Sequence, residues 1–76
     1  MWIALFSQTG SEIANISELI SRSPDIILTN KKCLSGIDNR LNNIINRTHG
    51  DIEQYLINIC KPGDIITLHG YLRILS

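Results

Sequence analysis

Short apolar runs alternate with amphipathic stretches along the chain, and this alternation limits the folds open to it more than any other feature. Trp2-Ile3-Ala4-Leu5-Phe6 is apolar throughout and is closed by the turn cluster Ser7-Gln8-Thr9-Gly10. A run this short with a turn behind it predicts a strand buried on both faces. From Ser11 the spacing becomes helical, with Ile13, Ile16 and Ile20 at i, i+3 and i+7 and Leu19 alongside. Ser23-Pro24 is expected to end that helix, because the residue before a proline is pushed out of the α region. Residues 25–30, centred on Ile26-Ile27-Leu28, predict a second strand, and residues 31–36 a loop. Ile37, Arg40 and Leu41 suggest one or two helical turns. Ile44-Ile45 either extends them or forms a very short strand, and the strand is favoured. Thr48-His49-Gly50-Asp51 is a helix-start cluster, followed by Ile52, Tyr55, Leu56 and Ile59 at i, i+3, i+4 and i+7. Lys61-Pro62-Gly63 stops this helix, residues 64–69 carry the last strand, and Gly70 breaks it.

Strands alternating with helices predict an α/β fold: a small three-layer sandwich, with a mostly parallel sheet of three or four strands and helices on both faces. Right-handed connections between parallel strands give the order 3-2-1-4. The first and last strands then become neighbours whose connections leave to opposite faces. Open α/β sheets bind ligands at such a switch point, at the carboxyl ends of the strands. The loops expected there are residues 7–11 and residues 70–73.

Two readings fit the first loop. Gly10 and two hydroxyls leading into a helix suit an anion cradle of backbone N–H groups, or Thr9 or Ser11 is a plain N-cap. With one glycine there is no dinucleotide fingerprint, and Glu12 in the first turn would repel a phosphate if it pointed inward. Arg73 in the second loop is either a carboxylate or phosphate clamp or a surface arginine. Asp25 and Asp64 begin strands and belong to the amino edge. Asp38 and Asp51 are assigned to that lower side or to loops. Glu12 is the carboxylate expected near the site and His69 the imidazole, with His49 ahead of a helix on the opposite edge. A histidine in a strand is more often structural than catalytic, and no Ser-His-Asp or Cys-His set assembles.

Composition narrows the function classes. Seven basic and seven acidic residues give a net charge of zero. With no basic block, nonspecific nucleic-acid binding is disfavoured. Hydrophobic residues make up 43% of the chain and aromatic ones 5%, so the core must be built from branched aliphatics. Cys33 and Cys60 form no CxxC and lack suitably spaced histidines, so they are read as reduced thiols and no metal is expected. No run approaches a membrane span of about 20 residues, and the apolar start lacks the basic flank of a signal peptide. A cytoplasmic location follows as the expectation.

Three segments resemble a known family in the family's own order. Leu68-His69-Gly70-Tyr71-Leu72-Arg73-Ile74-Leu75-Ser76 is similar to the glycinamide-ribonucleotide formyltransferase segment that usually reads Leu-Ala-Gly-Phe-Met-Arg-Ile-Leu-Ser. The first strand with Ser7-Gln8-Thr9-Gly10-Ser11 resembles that family's opening strand and phosphate loop, and Thr29-Asn30-Lys31 resembles its Ser-Asn-Lys. The resemblance spans the whole chain with a shortened middle. It implies a Rossmann-like sheet and transfer of a formyl group from formyl-tetrahydrofolate, as cosubstrate, to an amine of a phosphorylated small molecule in purine biosynthesis. It implies substrate-phosphate contacts at Gly10, Ser11 and Glu12, where Glu12 replaces an asparagine. It implies a folate pocket bordered by Leu72, Arg73, Ile74 and Leu75, with His69 as an accessory group in place of a small residue. The family's Asn-Ile-His segment and later aspartate have no counterpart in residues 1–76. The resemblance therefore implies a single truncated N-terminal domain, inactive alone, completed by a C-terminal chain or assembled as a homo-oligomer through its last strand. Two other readings stay open: a noncatalytic phosphate- or folate-binding regulatory module, and a small interaction protein assembling through an exposed edge strand.

Overall fold

The structure, a computed structural model, describes residues 1–33 and 35–71. In chain order these form β1 (Trp2–Phe6), α1 (Ser11–Ile20), β2 (Ile26–Thr29), β3 (Ile44–Asn46), α2 (His49–Ile59) and β4 (Ile65–His69). The strands make one sheet in the order β3-β2-β1-β4, with every pairing parallel, as the alternation predicts. The favoured short strand at Ile44-Ile45 is β3.

All five residues of β1 are buried, and strand alternation sends them to two different cores. Ile3 and Leu5 pack with Leu28 of β2 and with Ile52 and Leu56 of α2. Trp2, Ala4 and Phe6 pack with Ile27 and with Ile13 of α1. One helix therefore covers each face. Right-handed crossovers require this, because α1 carries the chain from β1 toward β2 whereas α2 carries it back from β3 to β4.

The periodicity misplaces two boundaries. α1 ends at Ile20, before Pro24, because Ser21 adopts a left-handed conformation (φ 54°) and its N–H closes on the Ser17 carbonyl. The helix buries Ile13 and Ala14, while Ile20 stays exposed in the last turn. Residues 37–41 form turns instead of helical turns. The Asp38 N–H bonds outward to the Thr9 carbonyl at 2.7 Å, the Leu41 N–H closes a turn on the Asp38 carbonyl, and Ile37 and Leu41 pack onto the α1-side core. α2 begins as expected at Thr48, whose hydroxyl accepts the Asp51 N–H.

Gly10 is buried in a left-handed conformation (φ 72°), wedged between Phe6 and Leu41. A Cβ there would collide with the Leu41 side chain. Gly10→Ala is expected to cost about 2 kcal/mol, from left-handed strain and overpacking together. In urea unfolding, combining it with Leu41→Ala should cost less than the sum of the two single changes. Strict additivity would refute the wedge.

Candidate functional site

β1 and β4 are paired from Trp2–Ile65 to Phe6–His69, and their connections lie on opposite faces of the sheet. The switch point is therefore at the ends of these strands. Loops along this carboxyl edge are tied to one another. The Ser7 hydroxyl donates to Asn30 Oδ1 at 2.8 Å, and Asn46 Nδ2 donates to the Lys31 carbonyl.

Gly10 is itself the N-cap of α1 and offers no side-chain cap, so neither Thr9 nor Ser11 fills that role. Thr9 instead accepts the Ser11 N–H at 3.3 Å and shares a 3.0 Å hydroxyl bond with Ser11.

Glu12, one residue further on, joins a hydrogen-bonded chain that crosses from α1 to β4 and back to β1. Glu12 Oε1 lies 2.8 Å from His69 Nδ1, His69 Nε2 lies 2.7 Å from Thr67 Oγ1, and Trp2 Nε1 donates to Thr67 Oγ1 at 2.8 Å. The Glu12 carboxylate accepts, so His69 donates to it from Nδ1–H, while Thr67 Oγ1 accepts the indole N–H and shares its remaining bond with His69 Nε2. The His69 side chain is 5% exposed and that of Glu12 is 67% exposed.

A second cluster closes the other face of the same edge. His49 Nδ1 lies 2.8 Å from the Tyr71 hydroxyl, and His49 Nε2 lies 3.3 Å from Glu53 Oε1. Tyr71 is buried in the α2-side core, so it pins the chain leaving β4 to the start of α2. His49 was expected on the opposite edge. Because β3 runs parallel, whatever follows it emerges at the carboxyl edge, and Asp51 in the first turn of α2 does the same.

Asp38 also moves up to this edge, through its backbone bond to Thr9. Its carboxyl is held far below the usual carboxylate range by the Arg40 guanidinium, then by the Arg40 backbone N–H, with a further bond from the Ser11 hydroxyl. Arg40 also bonds Glu18 and Asn15. Asp25 and Asp64 sit at the amino edge as expected, bonded to the Trp2 N–H and the terminal ammonium group.

Of the residues singled out by sequence, Gly10, Ser11, Glu12 and His69 come together. Leu72, Arg73, Ile74 and Leu75 lie outside the described residues. Trp2 and Thr67 were missed, Tyr71 was placed at the crevice only as part of the loop 70–73, and Asp38 was given no role there. Register was the available signal for Thr67, since it shares the His69 face of β4 two residues earlier. Elsewhere, a groove of about 500 Å³ runs along α1 toward the amino edge, lined by Ser17, Ser21, Arg22 and Asn42 among others. Its arginines are already paired, Arg22 with Asp25 and Arg40 with Glu18. Among the described residues no group of three or more His, Cys, Asp or Glu side chains is placed to hold a metal ion, and both cysteines are free. No helix among them is long and apolar enough to cross a membrane. No protein-family model, curated protein or solved structure matches the chain.

The carboxyl of Asp64 is also lowered, by the Lys61 backbone N–H and then by the terminal ammonium group. A carboxylate whose folded pKa lies below its unfolded value of about 3.9 adds stability above that value, which is lost as pH falls through the folded pKa. Stability should therefore drop on acidification below about pH 4. Asp38→Asn and Asp64→Asn should each flatten that limb in urea titrations, and an unchanged limb in both would refute the attribution.

Proposed function

We propose that the chain is the N-terminal half of a formyltransferase of the glycinamide-ribonucleotide type, cytoplasmic and inactive alone. The observation that supports this is the meeting of two segments that carry the resemblance. The turn into α1 and the end of β4 touch through Glu12 and His69, at 2.8 Å and 57 residues apart in sequence. The ligand would enter at this switch point. Backbone groups at Gly10 and Ser11 would face its phosphate, and formyl-tetrahydrofolate would lie against Leu72, Arg73, Ile74 and Leu75. The groups that polarise the formyl carbonyl and move protons would come from a complementing C-terminal chain. Glu12 and His69 are two departures from the family pattern, and they are bonded to each other.

Complementation tests this. The chain alone should transfer no formyl group, and adding the separately produced C-terminal half of such an enzyme should bring activity that rises with concentration. No gain at any ratio contradicts the proposal.

One observation favours a second reading, assembly through β4. Ile65, Ile66 and Leu68 are 60%, 38% and 50% exposed on a strand whose outer side has no partner among the described residues. The five residues of the strand include no proline or lysine of the kind edge strands normally use. Sedimentation should then show a dimer that Leu68→Lys converts to monomer. A strict monomer at high concentration excludes this reading.

A further inference from the structure

We infer that β4 pairs antiparallel with the β4 of a second copy of this chain, about a two-fold axis at Thr67, and that the partner's Ile65 then borders the proposed crevice beside His69. This rests on reading β4 as an assembly edge, and it deepens that reading by fixing the orientation, the register and what the second copy adds to the site.

The backbone restricts the register first. The Ile65 N–H donates to the Met1 carbonyl, so Ile65 turns its peptide groups toward β1. These groups alternate along a strand. Thr67 and His69 therefore also face β1, and Ile66 and Leu68 turn their N–H and C=O to the outer side, which has no strand partner among the described residues. An antiparallel partner must set such outward residues opposite one another, where each pair exchanges both of its bonds. A two-fold axis at Ile66, Thr67 or Leu68 allows this, and an axis between two residues does not.

Side chains choose among the three. An axis at Ile66 sets Leu68 against Asp64, whose carboxylate is committed to the terminal ammonium group. An axis at Leu68 sets Ile66 against Gly70, where the strand has already ended in a left-handed conformation (φ 66°). An axis at Thr67 pairs all five residues of the strand. Ile66 then meets the partner's Leu68 on both sides of the axis, and both side chains are well exposed in the single chain. Thr67 meets its own copy, with its hydroxyl already engaged by Trp2 and His69. The strand holds no Asp, Glu, Lys or Arg, and His69 falls opposite Ile65, so no like charges face each other across the axis. An isologous interface requires this self-complementarity, and it names a second copy as the occupant.

The axis stands perpendicular to the sheet. It keeps both α1 helices on one face and both α2 helices on the other, and the two four-stranded sheets become one. Ile65 shares the α1 face of β4 with Thr67 and His69. In the pair, the partner's Ile65 lies directly across from His69, whose ring is bonded to Glu12 at the proposed crevice. Each crevice gains an apolar wall from the other chain and is incomplete without it.

Two measurements on the whole chain test the register. Leu68→Lys and Ile66→Glu should each lose the dimer in sedimentation. Mixed in equal amounts they should regain it, because the introduced ammonium and carboxylate then face each other. In the unmodified chain, isotope-filtered nuclear magnetic resonance on mixed labelled and unlabelled copies should place the Ile65 Hα against the partner's His69 Hα. A dimer whose contacts join Ile65 to the partner's Thr67, or Thr67 to the partner's His69, overturns the Thr67 register and leaves β4 as the assembly edge. Two folded variants that stay monomeric on mixing also overturn that register. A strict monomer, or a dimer whose contacts lie away from β4, removes both the register and the edge.

Discussion

β1 is paired on both edges and covered on both faces, and the other elements take their positions from it. Its five residues leave no polar side chain to point outward, so the strand is stable only with a helix on each side. Burying each of its large aliphatic or aromatic side chains contributes about 1.5–3 kcal/mol, which makes this strand the densest source of stability in a small chain. Its amino end is held in register by reciprocal bonds. The Trp2 N–H donates to the Asp25 carboxylate, and the Asp25 N–H returns to the Trp2 carbonyl at 2.8 Å. On the other side Asp64 holds the terminal ammonium, and the Ile65 N–H donates to the Met1 carbonyl. The two aspartates expected at the amino edge therefore set β2 and β4 against β1, and through that register they bring His69 level with Phe6 at the far end.

This register explains what was legible in the sequence. β1 and α2 could be read locally, because a closed apolar run and a clean 3.6-residue period each have one good solution. Parallel order followed from the alternation and the handedness rule. The end of α1 was not legible. Nothing in the sequence marks Ser21 as left-handed, and Pro24 looked like the stop. Residues 37–41 resembled a helical turn because Ile37 and Leu41 are spaced as on a helix, yet they are held by packing over Gly10. His49 was assigned to the wrong edge although the favoured short strand at Ile44-Ile45, running parallel, already puts the start of α2 at the carboxyl edge. The Glu12–His69 contact spans 57 residues, beyond any local pattern, although topology had already put both residues near the switch point.

The two edges of the sheet differ in a way that bears on function. β3 is short and half-buried, and it is flanked by Asn43 in a left-handed conformation and by Arg47, features that discourage strand addition. β4 is longer and mostly apolar, and its outer side has no strand partner among the described residues. The proposed crevice lies beside this edge, so whatever covers β4 would also adjoin it. Completion by a C-terminal chain and self-assembly would therefore both act on the same crevice. On the inner side, the Trp2–Thr67–His69–Glu12 chain links the crevice mouth to the amino end of β1. The position of the exposed carboxylate thus depends on the most buried strand in the molecule.

The central claim is that ligands enter at the carboxyl ends of β1 and β4 and not in the groove beside α1. Backbone amide mapping of a chemically diverse fragment library on the intact chain tests this most directly. Shifts should cluster at residues 7–12 and 69–71, whatever the fragment class that binds. Shifts clustered instead around Ser17, Ser21, Arg22 and Asn42 would contradict the account and move the functional surface to the amino edge of the sheet, beside the end of α1.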